Sequence, residues 1–240
     1  MIAIITQARI NSSRLPNKIF LTAKNKPFLA YHIEALKKTG FPIFVATTND
    51  GSEKPIIAFC EKYGISSFKG DEHNVLLRFY NCALTNKIDT IIRVTSDCPL
   101  INSNIILKGI QEYQNARNQT NIYLSNTMQR TYALGMDFEI FSFELLKDAF
   151  YNAEELAEKE HVTPYIWRNK SKKTEIKQIL DLEDNSHLRL TLDTEADRQL
   201  LTTLIENYGA DKLSYKQLVS LLNVNKSLQE INAHIEQKKI

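Results

Sequence analysis

A chain of 240 residues with 43% hydrophobic and 24% charged side chains is long enough to bury a full globular core, which excludes a disordered or fibrous protein. Its three widely spaced cysteines, Cys60, Cys82 and Cys98, form neither a disulfide framework nor a zinc ligand set and read as free thiols. The net charge is only +2, yet seven Lys or Arg against a single acid, Glu34, give the first forty residues +6 and leave −4 for the other 200, a pattern of a localised anion site and no nucleic-acid surface.

Ile2 to Thr6 is a short β-branched apolar run, the mark of a strand buried on both faces. The Met1–Ile5 opening is too short for a secretory signal, and no stretch reaches the about 18 apolar residues of a membrane span, so a cytoplasmic protein is expected. A polar stretch from Gln7 to Lys26 follows, with Pro16 and no glycine; Pro27 then opens a helix to about Lys38, stopped by Gly40. Next come a strand over 43–47, a helix over 52–63 ended by Gly64, a short strand over 65–68, a helix over 74–84 and a buried strand over 89–94. This βα alternation predicts an α/β fold, a Rossmann-like, mostly parallel sheet flanked by helices. Right-handed crossovers then bring the loops after Thr6, Thr47 and Val94 to one edge, where open sheets bind their ligands.

Beyond residue 100 the pattern turns mixed. It reads as a helix over 104–116, strands over 121–125 and 137–142, helices over 143–157 and 158–168, and strands over 175–180 and 189–192. A helix over 194–208 and two closing helices finish the chain. Ser214-x-x-Gln217 and Ser227-x-x-Glu230 both have capping-box form, and Leu228, Ile231 and Ile235 make an apolar stripe on the last helix. A single domain over 1–240 is expected, with 121–180 as a small mixed α+β insert for dimerisation and the acceptor site. Phe138, Ile140, Phe141, Phe143, Leu145 and Leu146 exceed what one sheet face needs, so a homodimer with this region at its two-fold interface is expected.

Immediately after the first strand stands Gln7-Ala8-Arg9-Ile10-Asn11-Ser12-Ser13-Arg14-Leu15-Pro16-Asn17-Lys18, three fixed cations and two hydroxyls at the ligand edge. Arginine forks and a lysine are a direct way to hold a triphosphate. Without glycine the loop is neither a P-loop nor a dinucleotide fingerprint, and its bland alternative is a solvated basic loop. Asp97, in Val94-Thr95-Ser96-Asp97-Cys98-Pro99-Leu100, follows a buried strand and either initiates a turn or binds a metal. Asp193, before Thr194, either caps the following helix or joins Asp97 on that metal, while a helix-dipole interaction is enough for Asp197. Magnesium fits such a pair, since it takes one or two carboxylates plus phosphate and water. Cys98 has no legible His/Asn relay and reads as a packed neighbour of Asp97.

The 7–18 segment closely resembles the opening motif of the sugar-acid cytidylyltransferases, nearest to the SpsF-like spore-coat polysaccharide branch, with CMP-Kdo and CMP-sialate synthetases as relatives. Further matches, carried mainly by their order, are Gly70 to Tyr80, Thr95 to Leu100, Gly135 to Glu139, Glu160 to Tyr165 and Arg189 to Asp197. One position departs: Asn17 stands where the family has glycine, a residue that tolerates left-handed backbone better than most. The resemblance implies a nucleotide-diphospho-sugar transferase type of fold, CTP as donor and Mg2+ as cofactor. It implies nucleotide contacts from Ala8, Arg9, Ser13, Arg14, Lys18, Arg78 and Asp97, metal ligation by Asp97 and Asp193, and catalysis by Arg9, Lys18 and Asp97. It places Glu139 and His161 on the acceptor side. A surface salt bridge for Arg78 and a purely structural role for His161 remain open beside these roles. The implied reaction joins CMP to a sugar, with a keto sugar acid as the expected acceptor, and releases pyrophosphate. A nucleotidyltransferase with another NTP and acceptor and a non-catalytic nucleotide-binding paralogue are the rival readings.

Overall fold

The apolar runs of the N-terminal half become the strands of one sheet, with the helices laid on its two faces in a computed structural model that describes residues 1–12 and 14–237. In chain order the elements begin with β1 (Ile2–Gln7), β2 (Thr22–Ala23), β3 (Lys26–Pro27), α1 (Phe28–Lys37), β4 (Ile43–Thr48), α2 (Lys54–Tyr63), β5 (Ser66–Gly70), α3 (Val75–Thr85), β6 (Thr90–Thr95) and α4 (Ser103–Gln114). They continue with β7 (Ile122–Ser125), β8 (Glu139–Ser142), α5 (Phe143–Asn152), α6 (Leu156–His161), α7 (Pro164–Trp167), β9 (Glu175–Gln178), α8 (Glu195–Tyr208), α9 (Tyr215–Val224) and α10 (Lys226–Glu230). Seven strands pair in the order β5-β4-β1-β6-β8-β7-β9, and β2 and β3 form a small antiparallel hairpin inside the stretch read as a polar loop. β5, β4, β1 and β6 run parallel; β8 is antiparallel to both β6 and β7, and β9 returns parallel to β7. The chain starts at β1, builds outward through β4 and β5, then crosses to β6 on the other side. That reversal opens a crevice at the C-terminal ends of β1 and β6.

Alternation along the strands divides the core in two. Ile4, Ile92, Val94 and Ile140 face the layer holding α1, α2, α4, α8 and α9, while Ala3, Ile5, Ile91 and Phe141 face α3, α5 and α7. Two glycines are required by this geometry. A Cβ on Gly70 would lie 2.7 Å from Cγ of Arg78, and a Cβ on Gly135, at φ 103°, would lie 2.7 Å from the Leu190 carbonyl.

Several sequence expectations need correction. The 189–192 strand is absent: Leu188, Leu190 and Leu192 are buried, but the backbone makes only an isolated bridge from Arg189 to Leu134. The expected 158–168 helix breaks at Val162 into α6 and α7. The last helix has Asn225 in its N-cap position, with no side-chain cap, so Ser227 is not its N-cap, whereas the Ser214–Gln217 capping box does form. Segment 121–180 is mixed, as expected, and its strands continue the main sheet. The apolar surplus argued for an interface is mostly internal: Phe138, Ile140, Phe141, Leu145 and Leu146 are buried within the one chain, and Phe143 is half-buried. Among the described residues no helix is long and apolar enough to cross a membrane.

Candidate active site

The cationic loop leaves β1 at Gln7 and is held at both ends. Ala8 is buried and donates its N–H to the Ala46 carbonyl at 3.1 Å; Asn17 N–H closes the loop onto the Ile10 carbonyl at 3.3 Å. Leu15 and Ile19 sink into the core, and Asn17 adopts the left-handed conformation (φ 54°, ψ 23°) in which asparagine replaces glycine at small cost. Between these anchors opens a cleft of about 600 Å3 lined by Arg9, Ile10, Asn11, Ser12, Pro16 and Asn17. Ser13 lies outside the described residues.

Lys18 starts the short 3-10 turn after Asn17 and turns inward. Its Nζ donates to Asp97 Oδ2 at 3.0 Å and to Asp193 Oδ1 at 2.8 Å, so two carboxylates far apart in sequence meet on one ammonium. Backbone contacts create the meeting: the Asp97 carbonyl accepts from Leu192 N–H at 2.7 Å and from the Thr191 hydroxyl at 3.2 Å. Arg14 Nη2 reaches Asp193 Oδ2 at 3.1 Å. Burial opposes charge on Lys18, but the two carboxylates outweigh it and raise the ammonium above its usual range. Burial likewise opposes the Asp97 carboxylate, and Lys18, with the Thr95 hydroxyl, overcomes it and holds the acid well below its ordinary value.

The helix-capping role falls to Thr194, whose side chain accepts from Asp197 N–H at 3.2 Å; Asp193 is therefore free of it. Asp197 does more than complement a helix dipole. It is fully buried, takes Arg189 Nε at 2.7 Å and Nη2 at 2.9 Å, and accepts from the backbone N–H groups of Asp193 and Thr194, each at 3.0 Å. Arg189 also touches Asp193 Oδ2 at 3.4 Å, and Asn232 donates to Asp197 Oδ1 at 2.9 Å, so the C-terminal segment braces the turn that carries Asp193.

Behind Asp97 stands His32, fully buried on α1. The tautomer that satisfies both ring nitrogens donates from Nδ1 to the Cys98 carbonyl at 2.9 Å and accepts at Nε2 from the Thr6 hydroxyl, also at 2.9 Å. Burial lowers its pKa to about 4, so the ring is neutral at pH 7. The Cys98 thiol is pushed well above its usual range by burial and by Asp97, which makes it a packed neighbour and no nucleophile.

A sequence model of the cytidylyltransferases matches residues 3–240. The chain belongs to the cytidylyltransferase family. A cytidylyltransferase from Leptospira borgpetersenii serovar Hardjo-bovis superposes with a TM-score of 0.90 at 31% identity, covering 99% of both chains. The spore coat polysaccharide biosynthesis protein SpsF of Bacillus subtilis is 29% identical over 235 residues, 93% of this chain and 95% of that one. A CMP:2-keto-3-deoxy-manno-octonic acid synthetase complexed with CTP shares the fold, with a TM-score of 0.62 at 17% identity over 85% of this chain and 98% of that one. The enzyme is thus a nucleotidyltransferase.

Within this cytidylyltransferase, Arg9 lies exposed in the cleft, while Arg78 is not the surface salt bridge that its sequence left open. Its side chain is buried against Gly70, donating Nε to the Asp71 carbonyl at 3.0 Å and Nη2 to the Glu72 carbonyl at 3.1 Å. Burial and the nearby Arg9 charge lower its pKa. Glu139 and His161 belong to a second cluster, separate from the aspartates. Glu139 pairs with Arg93 and accepts from the Tyr123 and Thr163 hydroxyls, each at 2.6 Å. Thr163 is aimed there by a γ-turn centred on buried Val162 (φ 72°, ψ −53°), closed by Thr163 N–H to the His161 carbonyl at 2.8 Å. The half-buried His161 has its pKa lowered, chiefly by burial. Sequence reasoning passed over Arg93, Arg189 and His32. A charge inside the apolar run Ile91-Ile92-Arg93-Val94 and a histidine on a wholly buried helix face were the available signals.

Proposed function

We propose that the enzyme transfers CMP from CTP to a sugar, a keto sugar acid by preference, releases pyrophosphate, and serves the assembly of a surface polysaccharide. The observation that carries this reading is the convergence of Lys18 with Asp97 and Asp193 beside a cleft lined by the cationic loop. The relatives' printed roles, a spore-coat polysaccharide protein and a synthetase complexed with CTP, support the choice of donor and product.

The residues fit magnesium. Asp97 and Asp193 meet at one point, and among the described residues no third His, Cys, Asp or Glu joins them in a group that could hold an ion. Two carboxylates suit magnesium, which would complete its shell with phosphate and water, better than zinc. Asp97 and Asp193 would hold it, and when bound it supplies Lewis-acid neutralisation of phosphate charge. The chain's own part is positioning. Arg9 and Arg14 receive the β- and γ-phosphates, Lys18 neutralises charge that grows on the leaving pyrophosphate, and the loop fixes the α-phosphorus for in-line attack. The acceptor hydroxyl oxygen bonds to that phosphorus as the bond to the bridging oxygen breaks. The acceptor is proposed to lie on the Gln7, Arg93, Glu139 and His161 side. Among the described residues, Gln7 Oε1 and Arg93 Nε are buried without hydrogen-bond partners, which marks this side as polar.

Nucleotide choice is tested by melting temperature. CTP with Mg2+ should raise Tm more than ATP, GTP or UTP at equal concentration. Equal shifts for all four would remove the cytidine preference and leave a general triphosphate site.

A further inference from the structure

The position between Asp97 and Asp193 is already filled by a cation of the protein's own. Lys18 Nζ touches Asp97 Oδ2 at 3.0 Å and Asp193 Oδ1 at 2.8 Å, so the ammonium takes the space between the two carboxylates that would hold the metal. Arg14 at 3.1 Å and Arg189 at 3.4 Å cover the other oxygen of Asp193. Two cations cannot share one position, so a divalent ion arriving alone must expel an ammonium that makes two charge-assisted hydrogen bonds. The side chains differ in how easily they yield. Arg189 is locked by Asp197 and Gln237, whereas Lys18 is a point charge on a flexible four-carbon stem. Its chain neighbour Asn17 lines the cleft, so the lysine stem starts one residue beyond the cleft wall. A polyphosphate in that cleft offers oxygens with more negative charge than the carboxylate pair and lies within reach of the same stem.

We propose that Lys18 is an exchangeable counter-ion: it occupies the metal position while the cleft is empty, and an incoming triphosphate draws it away and opens that position to a divalent ion. This rests on reading Asp97 and Asp193 as the metal ligands. Nucleotide and metal are then coupled, and the coupling is reciprocal by linkage. The device keeps a bare metal–carboxylate centre from forming before nucleotide is in place. It also spares the empty enzyme a partly buried Asp97 carboxylate with no other ion-pair partner among the described residues.

The test is Mn2+ binding followed by electron paramagnetic resonance, on the whole protein, with and without a non-hydrolysable α,β-methylene CTP. Without nucleotide, Lys18→Gln should bind Mn2+ at least about tenfold more tightly than wild type, within the usual range of coupling factors. Mn2+ alone should also raise the Tm of Lys18→Gln more than that of wild type. Lys18→Met, which keeps the length of the stem, is the second variant, and either one folded is enough. Equal Mn2+ affinity in variant and wild type without nucleotide would overturn the exchange. Asp97→Asn separates the two failures: if Mn2+ still binds with nucleotide in that variant, it is the metal assignment that is wrong, and not the role of the lysine.

Discussion

Replacing Asp97 by asparagine removes one charge and almost no volume, so it isolates what the site draws from the carboxylate. Asp97→Asn should lower turnover by at least about a hundredfold while the fold persists, because a ligand and its charge leave the developing transition state. Asp193→Asn should do the same with little change in Tm, since Thr194 provides the helix cap. A near-wild-type rate in either variant, measured by pyrophosphate release, would contradict the two-carboxylate site. His32 makes a different prediction. Its pKa in the folded protein, about 4, lies below the free value of 6.5, so between those values the unfolded chain binds the proton. Its contribution is therefore complete above about pH 6.5 and is lost as pH falls toward 4. From pH 7 to pH 5 this one residue should cost about 2 kcal/mol. Urea unfolding of wild type against His32→Gln at the two pH values checks it, and parallel losses would refute the assignment. Lys18, Arg14 and Asp97 were legible because each stands in a short motif beside a strand end. His32 was not, because a histidine among apolar helix residues looks like any core residue until Thr6 and Cys98 are placed around it.

At the level of elements, the turn between Arg189 and α8 decides where Asp193 points. Asp197 is buried and depends on Arg189 and Asn232 for compensation; burial would raise its pKa, and these partners lower it instead. Arg189→Leu should destabilise the protein by about 3–5 kcal/mol, as one partner of a buried pair is lost. Arg189→Leu combined with Asp197→Leu should recover part of that loss, since no charge is then left uncompensated. Chemical denaturation of the single and double variants measures both, and a double variant no more stable than the single would break the argument. Apart from the β2–β3 hairpin, which lay in a stretch read as a polar loop, the first hundred residues were readable element by element, because glycines stop two of the helices and apolar runs mark the central strands. The later elements were harder for particular reasons. Leu188, Leu190 and Leu192 alternate like a strand, yet the segment runs across Gly135 and Leu134 and finds no ladder. The split between α6 and α7 depends on a γ-turn at Val162, a conformation that valine rarely adopts and that no local pattern announces.

For the molecule as a whole, the placement of β8 between β6 and β7 could not be read, because it depends on pairing between strands that are not neighbours in sequence. That placement buries the apolar residues of the 138–146 run except half-buried Phe143, which weakens the original reason to expect self-association. We propose that the chain still forms a homodimer, now through exposed Tyr151 and Leu156 on either side of the α5–α6 turn. Light scattering at micromolar concentration should give twice the 27.6 kDa of one chain, and the mass of a single chain would exclude the dimer. The charge asymmetry was readable in part: of the seven N-terminal cations, Arg9 lines the cleft, Lys18 meets Asp97 and Asp193, and Arg14 meets Asp193, while Lys26 pairs with Glu34 and Lys37 donates to the Tyr63 carbonyl. The central claim is that these groups transfer a cytidylyl group, and pyrophosphate release from CTP with Mg2+, over a panel of keto sugar acids and neutral sugars, tests it most directly. The account predicts acceptor-dependent release with at least one sugar acid, faster from CTP than from UTP, ATP or GTP, and lost in Asp97→Asn. Release at equal rates from all four nucleotides, or none with any acceptor, would contradict it.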